Sequence, residues 1–402
     1  MKFAKIECRS VLAGLILAML SAGTAGALAP AAPTPAPAPA AKVRARDLGI
    51  PFDGTPGPFN AITDVAGVTV GHSTLNGGIV HTGVTAILPR GAASQKDPVF
   101  AGWYSQNGNG EMTGTTWVEE SGFLAGPVMI TNTHSVGVVR DAVIKWHVER
   151  GDMKPDGDAW SLPIVAETWD GWLNDIDGFH VTPQNAFDAL NSAHGGAVTE
   201  GNVGGGTGMI CNGYKGGIGT SSRRLSAKEG GYTVGVLVQC NFGVRQNLRI
   251  AGIPVGREIP APEPYVYMPS DLGEHGSIIV VVATDAPLLA HQLKRVARRV
   301  TLALGRAGSI SGDGSGDIFI AFSTANAGAG AADKAIAVQM MPNGDMNPVF
   351  QATVEATEEA IDNALIAAED MTGFHGHKVI ALPHAALQAV LRKYNRLIQP
   401  ER

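Results

Sequence analysis

"GEHGSIIVVVATDAPL" (Gly273–Leu288) sets one small polar residue, Ser277, between a glycine-containing loop and the unbroken apolar run Ile278–Ala283. A strand with one face in water alternates apolar and polar side chains. A run that is apolar throughout suits a strand covered on both faces. Similar runs recur at Ala66–Gly71, Thr82–Pro89, Gly126–Thr133, Gly231–Gly243 and Asp317–Thr324. Helical patterns are fewer and longer. Ser135–Arg150 follows Asn132 and Thr133, which are candidate caps, and Thr182–Ala193 has a Thr cap with Pro183 at the first helical position. Ala286–Gly305 carries Leu289, Leu293, Val296 and Val300 on one face, and Phe350–Met371 and Pro383–Tyr394 also read as helices. Doubly covered strands with helices outside predict stacked sheets between helical layers, in one large α/β domain.

The N-terminus stands apart from this pattern. Lys2, Lys5 and Arg9 precede the apolar stretch Val11–Leu20, and small-residue cleavage patterns end at Ala27 and Ala29. This is the layout of a secretory signal, with an apolar stretch too short to span a bilayer. Cleavage after Ala27 is favoured, because a cut after Ala29 would place Pro30 next to the scissile bond. The expected domains are a signal peptide at 1–27, a Pro/Ala-rich linker at 28–46 and a catalytic domain at 47–402. The expected location is periplasmic or secreted, with no membrane attachment after leader removal. Losing the leader moves the formal charge from −6 to −8, and no basic stripe marks a nucleic-acid partner. Cys211 and Cys240 remain, both in apolar runs, where buried free thiols are expected and export leaves a bridge possible.

Several spellings of known motifs do not hold. Gly204–Gly208 lacks the Gly-Lys-Ser/Thr ending of a phosphate loop and leads into a strand-like segment, so a tight backbone approach is expected. His375 and His377 have no second group of ligands, and "SGDGSGD" (Ser311–Asp317) lacks the closing Glu of a calcium loop, so no metal is expected. "GDGSG" (Gly312–Gly316) spells a lipase elbow but precedes a strand.

Ser277 is different because of the residue before it. Gly276 has no Cβ to obstruct attack of the Ser277 hydroxyl on the Gly276 carbonyl, and it tolerates unusual dihedrals. Such attack breaks the peptide bond through an ester and frees an α-amine with a reference pKa of about 7.7–8.0. That amine can act as base for its own hydroxyl, so no separate His is required.

At this point the sequence resembles the self-cleaving aminopeptidases that include the L-aminopeptidase/D-Ala-esterase-amidase and the β-peptidyl aminopeptidases. The similarity runs from about Leu48 to Leu391. It is carried by Thr115–Ala142, Gly204–Arg223, His275–Leu288 and Gly312–Asn326. The resemblance implies a four-layer α/β/β/α sandwich, self-cleavage into an α chain (28–276) and a β chain (277–402), and tetramers of αβ protomers. It assigns the nucleophile to Ser277, the residue before the cut to Gly276 and the oxyanion asparagine to Asn241. It assigns the acid that binds the substrate ammonium to Glu167, and a pair assisting the nucleophile's amine to Ser315 and Asp317. Asp317 is one methylene shorter than the Glu of some β-aminopeptidases. Trp169 falls near the substrate, where the L-aminopeptidase branch has a tyrosine.

The expected activity is removal of N-terminal residues, preferably β-amino acids, from short peptides, amides and esters, with no cofactor. An L-aminopeptidase/D-amino-acid esterase-amidase is the alternative within the family. An acyltransferase like the ornithine acetyltransferases, which use threonine, and a non-cleaving periplasmic binding protein are the alternatives outside it.

Overall fold

The computed structural model describes residues 42–153, 160–260 and 275–398. The expected leader and most of the Pro/Ala-rich segment lie outside the described residues. The run that follows Ser277 explains the architecture. Ile279, Val281 and Ala283 point into an apolar layer between two sheets, while Ile278, Val280 and Val282 point into a second layer beneath helices. All six are fully buried, and burial of a Val or Ile side chain contributes roughly 1.5–3 kcal/mol.

The smaller sheet has the strand order Thr69–Gly77, Val80–Leu88, Val128–Asn132, Ile164–Thr168, with only the last pair parallel. The larger sheet runs Phe123–Leu124, Val99–Ser105, Ile318–Ser323, His275–Thr284, Thr233–Asn241, Gly217–Arg224. Its one parallel pair along this path is His275–Thr284 with Ile318–Ser323. The short strand Gly314–Ser315 adds to the N-terminal end of His275–Thr284. Ile87, Val128 and Ile130 of the smaller sheet meet Leu237, Ile279 and Ile320 of the larger in the central layer. Helices Val136–Glu149 and Pro183–Asn191 cover the smaller sheet's outer face, through Val139, Val143, Trp146 and Leu190. Helices Ala290–Ala297, Val300–Ala307, Asn347–Ile366 and His384–Lys393 cover the larger sheet. The order is α/β/β/α, as expected.

Two expectations need correction. The helix expected over Ala286–Gly305 is two helices, Ala290–Ala297 and Val300–Ala307. Buried positions 293, 296, 297, 300, 303, 304 and 307 keep helical spacing across the break, so periodicity alone cannot reveal it. The linker expected up to Arg46 ends earlier, because the compact unit begins at Lys42. Ala45 is fully buried, Arg44 Nε lies 2.7 Å from Glu200, and Arg46 Nε lies 2.8 Å from Glu359. The Pro/Ala bias stops before these arginines, and two buried carboxylates hold them.

Candidate active site

Antiparallel pairing of Thr233–Asn241 with His275–Thr284 places Asn241 directly opposite Ser277 at the end of the larger sheet. Cross-strand partners bring their Cβ atoms to about 5 Å, so the two side chains are neighbours by register alone. In the smaller sheet, Glu167 is the penultimate residue of Ile164–Thr168. Stacking of the sheets brings these strand ends to a single cavity of about 550 Å³, lined by Ser277, Gly276, Asn241, Glu167 and Trp169 among others. Four of the sequence-predicted site residues and the glycine before the nucleophile thus share one space.

Gly276 adopts φ +99°, and a Cβ there would lie 2.1 Å from the Asn241 carbonyl oxygen. Both the dihedral and the contact demand glycine. Ser277 is 6% exposed, and its Oγ accepts the Gly316 N–H at 3.0 Å. That amide comes from the Gly-Ser-Gly segment, which therefore holds the Ser277 hydroxyl rather than forming an elbow of its own. Ser315 and Asp317 are fully buried beside it. Ser315 is the register partner of Gly276, and among the described residues its Oγ has no hydrogen-bond partner. Asp317 Oδ1 accepts the Ile278 N–H at 3.2 Å, one peptide unit from the bond that would be cut.

The Asn241 carboxamide is oriented from both ends. Its Oδ1 accepts the Ile210 N–H at 2.8 Å, and its Nδ2 donates to the Trp169 carbonyl at 2.9 Å. One hydrogen of Nδ2 is left for a ligand. Trp169 contributes this carbonyl, while its indole is 43% exposed at the cavity wall.

Glu167 is 4% exposed and accepts the Glu111 N–H at 2.9 Å on one oxygen and the Thr133 hydroxyl on the other. Burial pushes its carboxyl above the ordinary value, against the pull of the two hydrogen bonds. Asp170 also lines the cavity, and burial pushes its carboxyl up to about 6. A partly apolar cavity that carries the Glu167 and Asp170 carboxyl groups together with the Ser277 hydroxyl suits a cationic, amine-bearing substrate.

Sequence reading missed several contributors. Asn132 and Thr133 do not cap the following helix: Asn132 Nδ2 donates to Thr82 Oγ1 at 2.8 Å, and Thr133 clamps Glu167. Trp172 lines the cavity and stacks on His377 at 3.8 Å between ring centroids, so His377 supports the wall. His375 is exposed on its loop. Gln239 Nε2 bridges the sheets by donating to Thr131 O at 3.0 Å and Thr168 Oγ1 at 2.9 Å. The Gly204–Gly206 run is wedged between the sheets: a Cβ on Gly205 would lie 2.7 Å from Ile130 O, and one on Gly206 2.5 Å from Ile218 N. This is the tight backbone approach expected of it. Of the two states open to Cys211 and Cys240, free thiols as the commoner and a bridge as possible after export, the structure has the bridge. The hairpin Ile210–Cys211/Tyr214–Lys215 folds back onto the strand that ends at Asn241, and the main-chain bond Asn212 N to Phe242 O (2.6 Å) brings the two cysteines together.

Comparison with known proteins agrees with this geometry. Residues 60–379 match the sequence profile of peptidase family S58. The β-peptidyl aminopeptidase BapA of Sphingosinicella microcystinivorans is 52% identical over 95% of this chain and 97% of its own. A β-aminopeptidase from a Burkholderia species superposes with a TM-score of 0.81 at 48% identity, covering 87% of this chain and 99% of its own. The L-aminopeptidase D-Ala-esterase/amidase of Ochrobactrum anthropi, described as a prototype of the serine aminopeptidases and a variant of the Ntn hydrolase fold, superposes at 0.82. It is 49% identical, covering 88% of this chain and 99% of its own.

Proposed function

The chain belongs to peptidase family S58, and from that premise we propose that it is a self-processing aminopeptidase releasing N-terminal β-amino acids from short peptides, amides and esters. The carrying observation is that Ser277, Asn241 and Glu167 line one cavity. In processing, Ser277 Oγ bonds to the Gly276 carbonyl carbon and the Gly276–Ser277 C–N bond breaks. The resulting ester is hydrolysed to a Gly276 carboxylate and a free Ser277 amine. In turnover that amine takes the hydroxyl proton as Oγ attacks the substrate carbonyl, and returns it to the leaving amine. Asn241 Nδ2–H holds the oxyanion. Water then cleaves the acyl-serine and releases the amino acid. Ser315 and Asp317 orient the amine, and Glu167 binds the substrate ammonium. The β preference is supported by the similarity to the β-peptidyl aminopeptidase BapA and the Burkholderia β-aminopeptidase, and by Trp169 at the cavity wall.

Export to the periplasm or medium is supported by the leader pattern, and assembly as tetramers of αβ protomers by the family resemblance. Among the described residues, no helix is long and apolar enough to cross a membrane.

The test is direct. The purified protein should run as two chains, about 28–276 and 277–402, and hydrolyse β-alanyl p-nitroanilide faster than the L-alanyl and D-alanyl compounds. Cleavage of the L-alanyl compound alone would refute the β assignment, and an intact, inert chain would refute the enzyme.

Glu167 gives a pH-dependent prediction. Ammonium binding requires its carboxylate, whose pKa is raised. Affinity for a simple alkylamine inhibitor should therefore be full at neutral pH. It should be lost as pH falls through a value above the usual carboxylate range. Glu167→Gln should flatten that dependence and lower kcat/KM at least about 30-fold, the effect of removing one partner of a buried charge pair. Inhibition constants measured from pH 4 to 8 check both.

A further inference from the structure

Lys215 has no assigned part in the chemistry, yet it is fully buried beneath the cavity. Burying a lysine is costly unless its ammonium finds partners. Here Nζ donates to the carbonyl of Met209 at 2.9 Å, to that of Gly216 at 2.8 Å and, more weakly, to that of Gly206 at 3.4 Å. Among the described residues no carboxylate forms an ion pair with it. Backbone carbonyls of the glycine-rich loop form its cage.

One of these bonds has a particular address. The Met209 carbonyl and the Ile210 N–H belong to the same peptide group, and that N–H is the donor to Asn241 Oδ1. The connection runs from the Lys215 ammonium through the Met209–Ile210 peptide to the Asn241 carboxamide, and ends at its Nδ2–H. Each amide in such a chain accepts at oxygen and donates at nitrogen. A cation at one end draws electron density through both and strengthens the last donor.

We propose that Lys215 is a positioning residue for the reaction, acting through the Met209–Ile210 peptide to orient Asn241 and polarise its Nδ2–H toward the oxyanion. This rests on the oxyanion role given to Asn241 above. The relay matters most where negative charge develops, so it acts on kcat and leaves substrate binding alone.

The experiment compares wild type with Lys215→Met and Lys215→Gln, using β-alanyl p-nitroanilide. Hydrolysis by wild type establishes the functional reading independently of this inference. Lys215→Met, which removes charge and donors at similar length, should lower kcat about tenfold with KM within about twofold, and Lys215→Gln, which restores an uncharged donor, should recover part of the loss. A folded, two-chain Lys215→Met enzyme with kcat within about twofold of wild type overturns the proposal, as does an equal rise in KM.

Should neither variant fold, wild type supplies the second measurement. Burial and the charge of Lys42 lower the Lys215 pKa well below 10.5, and Asp170 raises it. The ammonium is therefore lost at a pH well below 10.5. At saturating substrate kcat should fall as pH rises through that lowered value. A kcat that stays flat through pH 10.5 overturns the role of the charge.

Discussion

Ser277→Ala is expected to yield one uncut chain with no measurable aminopeptidase activity. The substitution removes the hydroxyl proposed to attack the Gly276 carbonyl, and so abolishes the ester through which the chain would divide. It also removes the nucleophile proposed for substrate, and without the cut Ser277 has no free α-amine to act as base. Loss of a nucleophile that works as a unit with its base typically costs on the order of 10⁶ in kcat. The fold itself should be retained, because Ser277 contributes one hydrogen bond, from Gly316 N–H at 3.0 Å. A denaturing gel and a p-nitroanilide assay read both consequences. Two chains from the alanine variant would place the cut elsewhere and reassign the nucleophile.

The second large effect is expected at Asn241. Asn241→Ala deletes the donor that the proposed mechanism aims at the oxyanion, and removal of one such donor typically lowers kcat by about 10²–10³. KM should change little, because the neutral carbonyl of a bound substrate gains much less from that donor than the tetrahedral intermediate does. The alanine also frees the Ile210 N–H and the Trp169 carbonyl, now 2.8 and 2.9 Å from the side chain. A modest drop in melting temperature should accompany the kinetic loss. A large rise in KM with kcat preserved would instead make Asn241 a substrate-binding residue. Steady-state kinetics on processed enzyme separates the two.

The layers were legible because burial on both faces writes an unbroken apolar run, as at Ile278–Ala283. Gly217–Arg224 illustrates the opposite case. It is buried through Arg223 yet reads "GIGTSSRR", because distant groups satisfy its polar atoms. Thr220 Oγ1 donates to Val236 O, Ser221 Oγ to Ala356 O and Ser222 Oγ to Asp64, each at 2.6 Å. No local pattern announces such partners.

The site divides in the same way. Gly276-Ser277 carries its chemistry in two adjacent residues, so elementary reactivity could single it out. Glu167 and Asn241 required the family resemblance, since an acid or amide at a strand end is as readily structural. Thr133 was read as a cap because its partner Glu167 lies 34 residues away. Lys215 went unread because a lysine among glycines looks solvated, and only the folded loop turns three carbonyls toward it.

The strand order of the larger sheet has a last consequence. With the proposed cut at Gly276–Ser277, Ile318–Ser323 and the Ser277–Thr284 part of its neighbour would belong to the second chain, while the strands on either side, Val99–Ser105 and Thr233–Asn241, would belong to the first. Each fragment holds part of one continuous sheet, and neither can leave without exposing the apolar surface on both its faces. The folded enzyme should not register the lost covalent link, but the unfolded one must. Once denatured, the processed protein has to find its other half by diffusion, so its renaturation becomes a second-order process that dilution defeats. The uncut precursor needs no such encounter. Cleavage at that bond would therefore convert a foldable polypeptide into an assembly that is made once, and whose lifetime rests on the barrier to unfolding rather than on its ability to return.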